Sequence, residues 1–108
     1  MDNIYILKSD NYYKIGVATD VDRRIKELQI GNPYTIEHVF SKQVPEAYEA
    51  ERFIHETFED YKVRGEWFGF DAKILDIVET MIVSHMRLCN IGPEDKERVK
   101  NWFLFKSS

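Results

Sequence analysis

Apolar and polar positions alternate at the start of the chain. Ile4 and Ile6 point to one face and Tyr5 and Leu7 to the other, the two-residue period of a pleated strand. Asp10-Asn11 supplies a turn, because both residues tolerate left-handed or Asx-turn geometry. A second strand then sets Tyr13, Ile15 and Val17 against Tyr12, Lys14 and Gly16. The period changes next: Val21, Ile25 and Leu28 recur at helical spacing, with Asp20 or its competitor Thr19 as N-cap and Gly31 just past the end. Residues 34–41 alternate again, placing Tyr34, Ile36, His38 and Phe40 on one side of a third strand. Pro45 suits the first turn of a second helix running to about Tyr61, whose face carries Ala47, Glu51, Ile54 and Phe58. Asp71 is placed to cap a third helix over residues 72–88, with Ile74, Leu75, Ile77, Val78, Met81, Ile82 and His85 at helical spacing. Asn90-Ile91-Gly92-Pro93 breaks the chain before a short last helix and the tail KNWFLFKSS. Basic and aromatic residues alternate in that tail, which suits stacking on single-stranded nucleic acid or docking on its own domain or a second copy.

These elements imply a small α/β fold: a three-stranded antiparallel sheet flanked by helices, with additional C-terminal helices. Residues 1–70 form the core unit, and residues 71–108 a helical extension packed on the same domain. At 108 residues the chain makes one domain with a modest core. Its 44% hydrophobic and 31% charged residues are ordinary for a globular protein. No apolar run approaches the ~18–20 residues that span a bilayer, and there is no basic-then-apolar leader, so a cytoplasmic location is expected, with no membrane. The lone Cys89 excludes an intramolecular disulfide and a cysteine-cluster zinc site.

The net charge is −4, opposite to the usual sign of a nucleic-acid binder. Residues 1–70 hold 9 Lys and Arg against 13 Asp and Glu, whereas residues 71–108 hold 6 of each. Contact with nucleic acid therefore requires a local patch, for which Lys14, Arg23, Arg24 and Lys26 are the candidates, and binding should be weak and salt-sensitive.

Two residues break the apolar pattern in ways that invite chemistry. Arg24 sits at the edge of the first helix's stripe, either with its stem covering the core or with its planar fork poised for a phosphate. Glu51 lies within the second helix's apolar stripe, where a carboxylate is costly unless paired or metal-bound. Its alternatives are a buried ion pair with Arg24 or Lys14, or service as the single protein ligand of a divalent cation. A lone carboxylate suits Mg²⁺, which keeps most of its waters. His55, one turn on from Glu51, is either a partly buried structural histidine or a substrate-side group. Glu66 lies in the segment Arg64-Gly65-Glu66-Trp67-Phe68, where Gly65 permits a tight turn and the aromatics pin the loop. A surface or hydrogen-bonded role suits Glu66 better than membership of the site.

The motifs Asn3-Ile4-Tyr5 and Tyr13-Lys14-Ile15-Gly16, with Arg24 eight beyond Gly16, together resemble the GIY-YIG nuclease superfamily. Asn3 stands where that family has its first glycine, and Lys14 where its second motif usually has tyrosine. The YKIG form, the Glu51-x-x-x-His55 pair and Gly65-Glu66-Trp67-Phe68 resemble a phage- and virus-associated branch, over residues 3–70. The resemblance implies an endonuclease hydrolysing phosphodiester bonds of DNA, with RNA as second choice, using Mg²⁺ or Mn²⁺ on Glu51. It implies catalytic roles for Tyr5, Tyr13, Lys14, Arg24 and Glu51, with Arg23, Lys26 and His55 on the substrate side. A free tyrosine has a pKa near ~10, so Tyr5 needs an adjacent ammonium such as Lys14 to favour its phenolate. A weak or inactive module on the same fold, binding nucleic acid or a host protein, is the alternative, and the C-terminal helices offer a surface for a homodimer or a protein partner.

Overall fold

The structure, a computed structural model, describes residues 2–84. Five antiparallel strands form one sheet: β1 (Asn3–Ser9), β2 (Tyr12–Ala18), β3 (Ile36–Gln43), β4 (Lys62–Arg64) and β5 (Trp67–Phe68), in the order β3-β1-β2-β5-β4. Three helices accompany it: α1 (Val21–Gln29), α2 (Ala47–Thr57) and α3 (Ala72–Val83). The sheet is thus larger than the three strands expected. The added β4–β5 hairpin turns at Gly65, whose φ of 56° is left-handed backbone that glycine adopts without strain.

The opening hairpin forms as the alternation dictates. Asp10 takes a positive φ of 55° at the turn, and the strands pair from Asn3↔Ala18 to Ser9↔Tyr12. Facing partners share a side of the sheet, so Tyr5 and Leu7 join Gly16 and Lys14 on one face, and Ile4 and Ile6 join Val17 and Ile15 on the other. The second face carries the larger core, where Ile4, Ile6 and Ile15 meet Ala47, Ala50, Ile54 and Phe58, then Phe68, Phe70, Ile74, Val78, Met81 and Ile82. The first face carries a smaller cluster of Tyr5, Leu7 and Ile36, against which Val21, Ile25 and Leu28 of α1 pack.

Strand β3 does not keep Ile36, His38 and Phe40 on one side. The pairing slips between Ile6 and Leu7, so that Ile6 faces Phe40 while Leu7 faces His38. This bulge sends Phe40 and Val39 to the larger core and leaves Ile36 in the smaller cluster. Tyr34 precedes the strand and is exposed. Helix α2 starts at Ala47, after Glu46 at a φ of 53°, so Pro45 lies before the helix rather than in its first turn. It stops at Thr57, and a short 3-10 turn, Glu59–Tyr61, leads into β4. The caps at Asp20 and Asp71 form as expected: their carboxylates accept from the Arg23 N–H at 3.1 Å and the Ile74 N–H at 2.9 Å. Helix α3 ends at Val83 with Ser84 as its C-cap, short of the expected residue 88; the last helix from Pro93, His85, Cys89 and the aromatic tail lie outside the described residues. No helix among the described residues is long and apolar enough to cross a membrane.

Candidate functional site

The first residue to place is Tyr5. It is only 1% exposed, pointing from β1 into the smaller cluster beneath α1. Its neighbour on β2 is Gly16, and a Cβ added there would lie 2.5 Å from Tyr5 Cζ and 3.0 Å from Cε1. No side chain fits, so the glycine lets the phenol lie flat across β2. The hydroxyl meets the guanidinium of Arg24, which reaches it from α1 as a hydrogen-bond donor. Burial raises the Tyr5 pKa above its ordinary value; Arg24 works against this, while the charges of Glu66 and Glu51 add to it. The phenol is therefore protonated at neutral pH. Tyr5 itself, ahead of a desolvation that acts the other way, pushes the Arg24 pKa further up, aided by Glu27 at 3.4 Å.

Lys14 lies two residues before Gly16 on the same face and is 7% exposed. Its ammonium donates to Glu66 Oε2 at 2.7 Å and stands 5.5 Å from the centre of the Trp67 ring. Burial works to raise the Glu66 pKa, but the hydrogen bond and charge of Lys14 outweigh it and hold that carboxyl below its ordinary range. Glu51 comes from α2, which packs on the opposite face, yet it lies in the field of Glu66 and Lys14. Burial first, then Glu66, raises its pKa, and Lys14 offsets them only in part. Among the described residues no group donates a hydrogen bond to the Glu51 carboxylate; His55 Nε2 stands 3.7 Å from it. That nitrogen donates instead to the Ile15 carbonyl at 2.9 Å, while the ring meets Phe68 edge-on. Burial lowers the His55 pKa, so it is a neutral peg between α2 and β2.

The structure thus sets Tyr5 beside Arg24 and Lys14 beside Glu66, with Glu66 in the field of Arg24 and Lys14 and Glu51 in that of Glu66 and Lys14. It does not bring Tyr13 to them. Tyr13 is on the other face of the sheet, stacked on Phe70 at 6.0 Å, because odd and even positions of β2 point apart. Nor is Lys14 the cation beside Tyr5: that place belongs to Arg24, and Lys14 serves Glu66. Arg23 is exposed and paired with Glu27 at 3.3 Å, and Lys26 is exposed on the same helix. Glu66 is exposed and hydrogen-bonded to Lys14, the surface or hydrogen-bonded role expected of it, and through that bond it lies beside the group. Gly65 signals a turn, but nothing in the sequence says beside which strand its hairpin docks. Among the described residues no three His, Cys, Asp or Glu side chains gather into a metal cage.

A family model describes nearly the whole chain: the T5orf172 domain matches residues 3–104. The chain belongs to the T5orf172 domain family. This overturns the GIY-YIG assignment suggested by the short motifs. The two departures from those motifs have work of their own here. Asn3 Nδ2 donates to the Thr19 and Ala18 carbonyls at 3.2 and 3.4 Å, which a glycine cannot do, and Lys14 makes the ion pair with Glu66. No curated protein and no solved structure gives a significant match. Membership in the T5orf172 domain family is consistent with a nuclease-like, DNA-binding domain.

Two outcomes follow from this geometry. Gly16→Ala should destabilise the protein by about 1–3 kcal/mol in urea unfolding, as overpacking does. Much of that loss should vanish in a Tyr5→Leu background, because the clash is with the distal ring; additive losses would contradict the contact. Glu51 gives the second. Its folded pKa lies above its unfolded value, so the folded chain holds that proton more tightly. The stability it contributes is present below the ordinary carboxyl pKa and lost as pH rises through the raised one. Glu51→Gln should therefore be more stable than the wild type at pH 7, with the advantage shrinking on acidification; thermal melts across pH 4–7 check this.

Proposed function

We propose that the chain is a divalent-metal-dependent endonuclease that hydrolyses phosphodiester bonds of DNA. The observation that carries this reading is a buried tyrosine hydroxyl beside an arginine, in the field of a carboxylate, Glu51, that accepts no hydrogen bond among the described residues. Two neighbouring carboxylates, of which only Glu66 has an ammonium partner, make a place where further positive charge is favourable. A lone carboxylate ligand suits Mg²⁺ or Mn²⁺, which retain most of their water. A divalent cation bound by Glu51 supplies positive charge that stabilises the leaving 3′ oxygen.

The protein's own groups do the rest. Arg24, anchored by the Tyr5 hydroxyl, turns its remaining N–H groups to the nonbridging oxygens of the scissile phosphate. Water attacks in line; its oxygen bonds to phosphorus as the bond to the 3′ oxygen breaks, and the leaving oxygen takes a proton from solvent. Tyr5, protonated at rest, acts as a relay: it accepts a proton from the water as it passes its own toward the neighbouring carboxylates. Lys14 holds Glu66 in place and tempers the repulsion between Glu66 and Glu51, which is a positioning role. A second reading, a nucleic-acid-binding module that does not cleave, is favoured by one observation: Lys14 and Arg24 are both already engaged by carboxylates of the chain.

Nicking of supercoiled plasmid distinguishes the two. The wild type should nick with Mg²⁺ or Mn²⁺ and be silent in EDTA. Glu51→Gln should remove nicking, and Arg24→Lys, which keeps the charge but loses the planar fork, should lower it about 100-fold. Full activity in either variant would dismiss the role assigned to that residue. A wild type inactive with every metal would leave the binding module.

A further inference from the structure

The strand register places a second set of side chains beside this group. Lys14 on β2 faces Trp67 on β5, and Trp67 faces Arg64 on β4, so Lys14, Trp67 and Arg64 form a row across the sheet on the face that carries Tyr5. Tyr12 lies on that face too, two residues before Lys14, at the diagonal spacing from Trp67 that large side chains bridge. Helix α1 covers the β1 and β3 side of this face, through Tyr5, Leu7 and Ile36. Trp67 and Tyr12 belong to neither apolar cluster. Tyr12 is 42% exposed, Trp67 is partly exposed, and neither ring stacks on another aromatic ring among the described residues. Arg64 is exposed and forms no ion pair among the described residues.

A tryptophan placed at the sheet surface with a cation on either side, Lys14 and Arg64, is poorly explained by packing. Among the described residues its indole belongs to neither core, and its one polar contact is the ammonium of Lys14 against its face. An indole at the sheet surface, with the Glu66-paired ammonium of Lys14 against one face and the exposed guanidinium of Arg64 beside it, complements an unstacked base and its phosphate; a closed duplex offers no unstacked bases to it. We infer that Trp67, flanked by Tyr12 and Arg64, is a stacking platform for unpaired bases of single-stranded DNA, and that the strand passes from this platform to the phosphate held by Arg24. The placement of the strand rests on the nuclease reading above; the stacking itself does not.

Binding is therefore measured in EDTA, without cleavage. The chain has two tryptophans, so Trp102→Phe makes Trp67 the sole reporter. Titration with oligo(dT) should quench Trp67 fluorescence, whereas a blunt duplex of equal length should quench it far less. Trp67→Ala should weaken oligo(dT) binding about tenfold or more, and Trp67→Phe, which keeps an aromatic face and guards against a folding defect, should retain most of it. Arg64→Gln should reduce the dependence of log affinity on log salt by about 0.7, one phosphate contact on a single strand. Equal quenching by duplex, or affinity for oligo(dT) unchanged in Trp67→Ala, would overturn the platform. Quenching by a wild type that never cleaves would keep the platform and remove the nuclease reading. Glu51-dependent cleavage with a silent Trp67 would remove the platform alone.

Discussion

The phenol of Tyr5 lies across Gly16 with no space for a side chain between them, and Arg24 takes its position from that contact. A pleated hairpin sends Tyr5 and Gly16 to the same face, and the register pairs them directly. Any larger residue at position 16 pushes the ring off the strand. With the ring in place its hydroxyl stands where Arg24 can reach it from α1, and that reach fixes a guanidinium which would otherwise belong to a helix with no fully buried residue. The smaller cluster is thin for this reason: α1 is held by Val21, Ile25 and Leu28 and by a polar contact at its edge.

Charge bears on whether an acidic protein holds the phosphate site proposed here. The excess of carboxylates is not spread evenly with respect to function: Glu66 is satisfied by Lys14, while Glu51 is held in a partly buried place without an equivalent partner. A carboxylate that accepts no hydrogen bond among the described residues is unfavourable for stability, and the cation proposed at Glu51 would offset that cost. If nucleic acid binds as proposed, salt should weaken it, since the cations nearest to the site are few and Lys14 and Arg24 are shared with the chain's own carboxylates.

Much of the fold was legible in the sequence. The alternation over residues 4–17 located both strands, their faces and their turn, and the caps at Asp20 and Asp71 were readable because an Asx side chain before an apolar period has a direct physical meaning. Strands of two and three residues leave no period to read, so β4 and β5 were hidden, and with them the partner of Lys14. The bulge in β3 was hidden as well, because it depends on pairing with β1 and not on the strand's own residues. In the site, Arg24 and Glu51 stood out as polar interruptions of apolar stripes. Tyr13 was misplaced by motif reasoning although its odd position on β2, shared with Ile15, already set it on the face away from Tyr5. Short motifs also carried the family assignment astray, since a few residues in the right order weigh less than a match along residues 3–104.

The central claim is that Tyr5, Arg24, Glu51 and Glu66 form one site completed by a divalent cation at Glu51. Paramagnetic broadening of backbone amide signals by substoichiometric Mn²⁺ tests it without reference to any reaction. The account predicts broadening centred on Glu51 and Glu66 and extending to Tyr5 and Gly16, with Mg²⁺ competing and Glu51→Gln abolishing it. Broadening centred elsewhere, such as at Asp76 and Glu79 on α3, or persisting undiminished in Glu51→Gln, would contradict it.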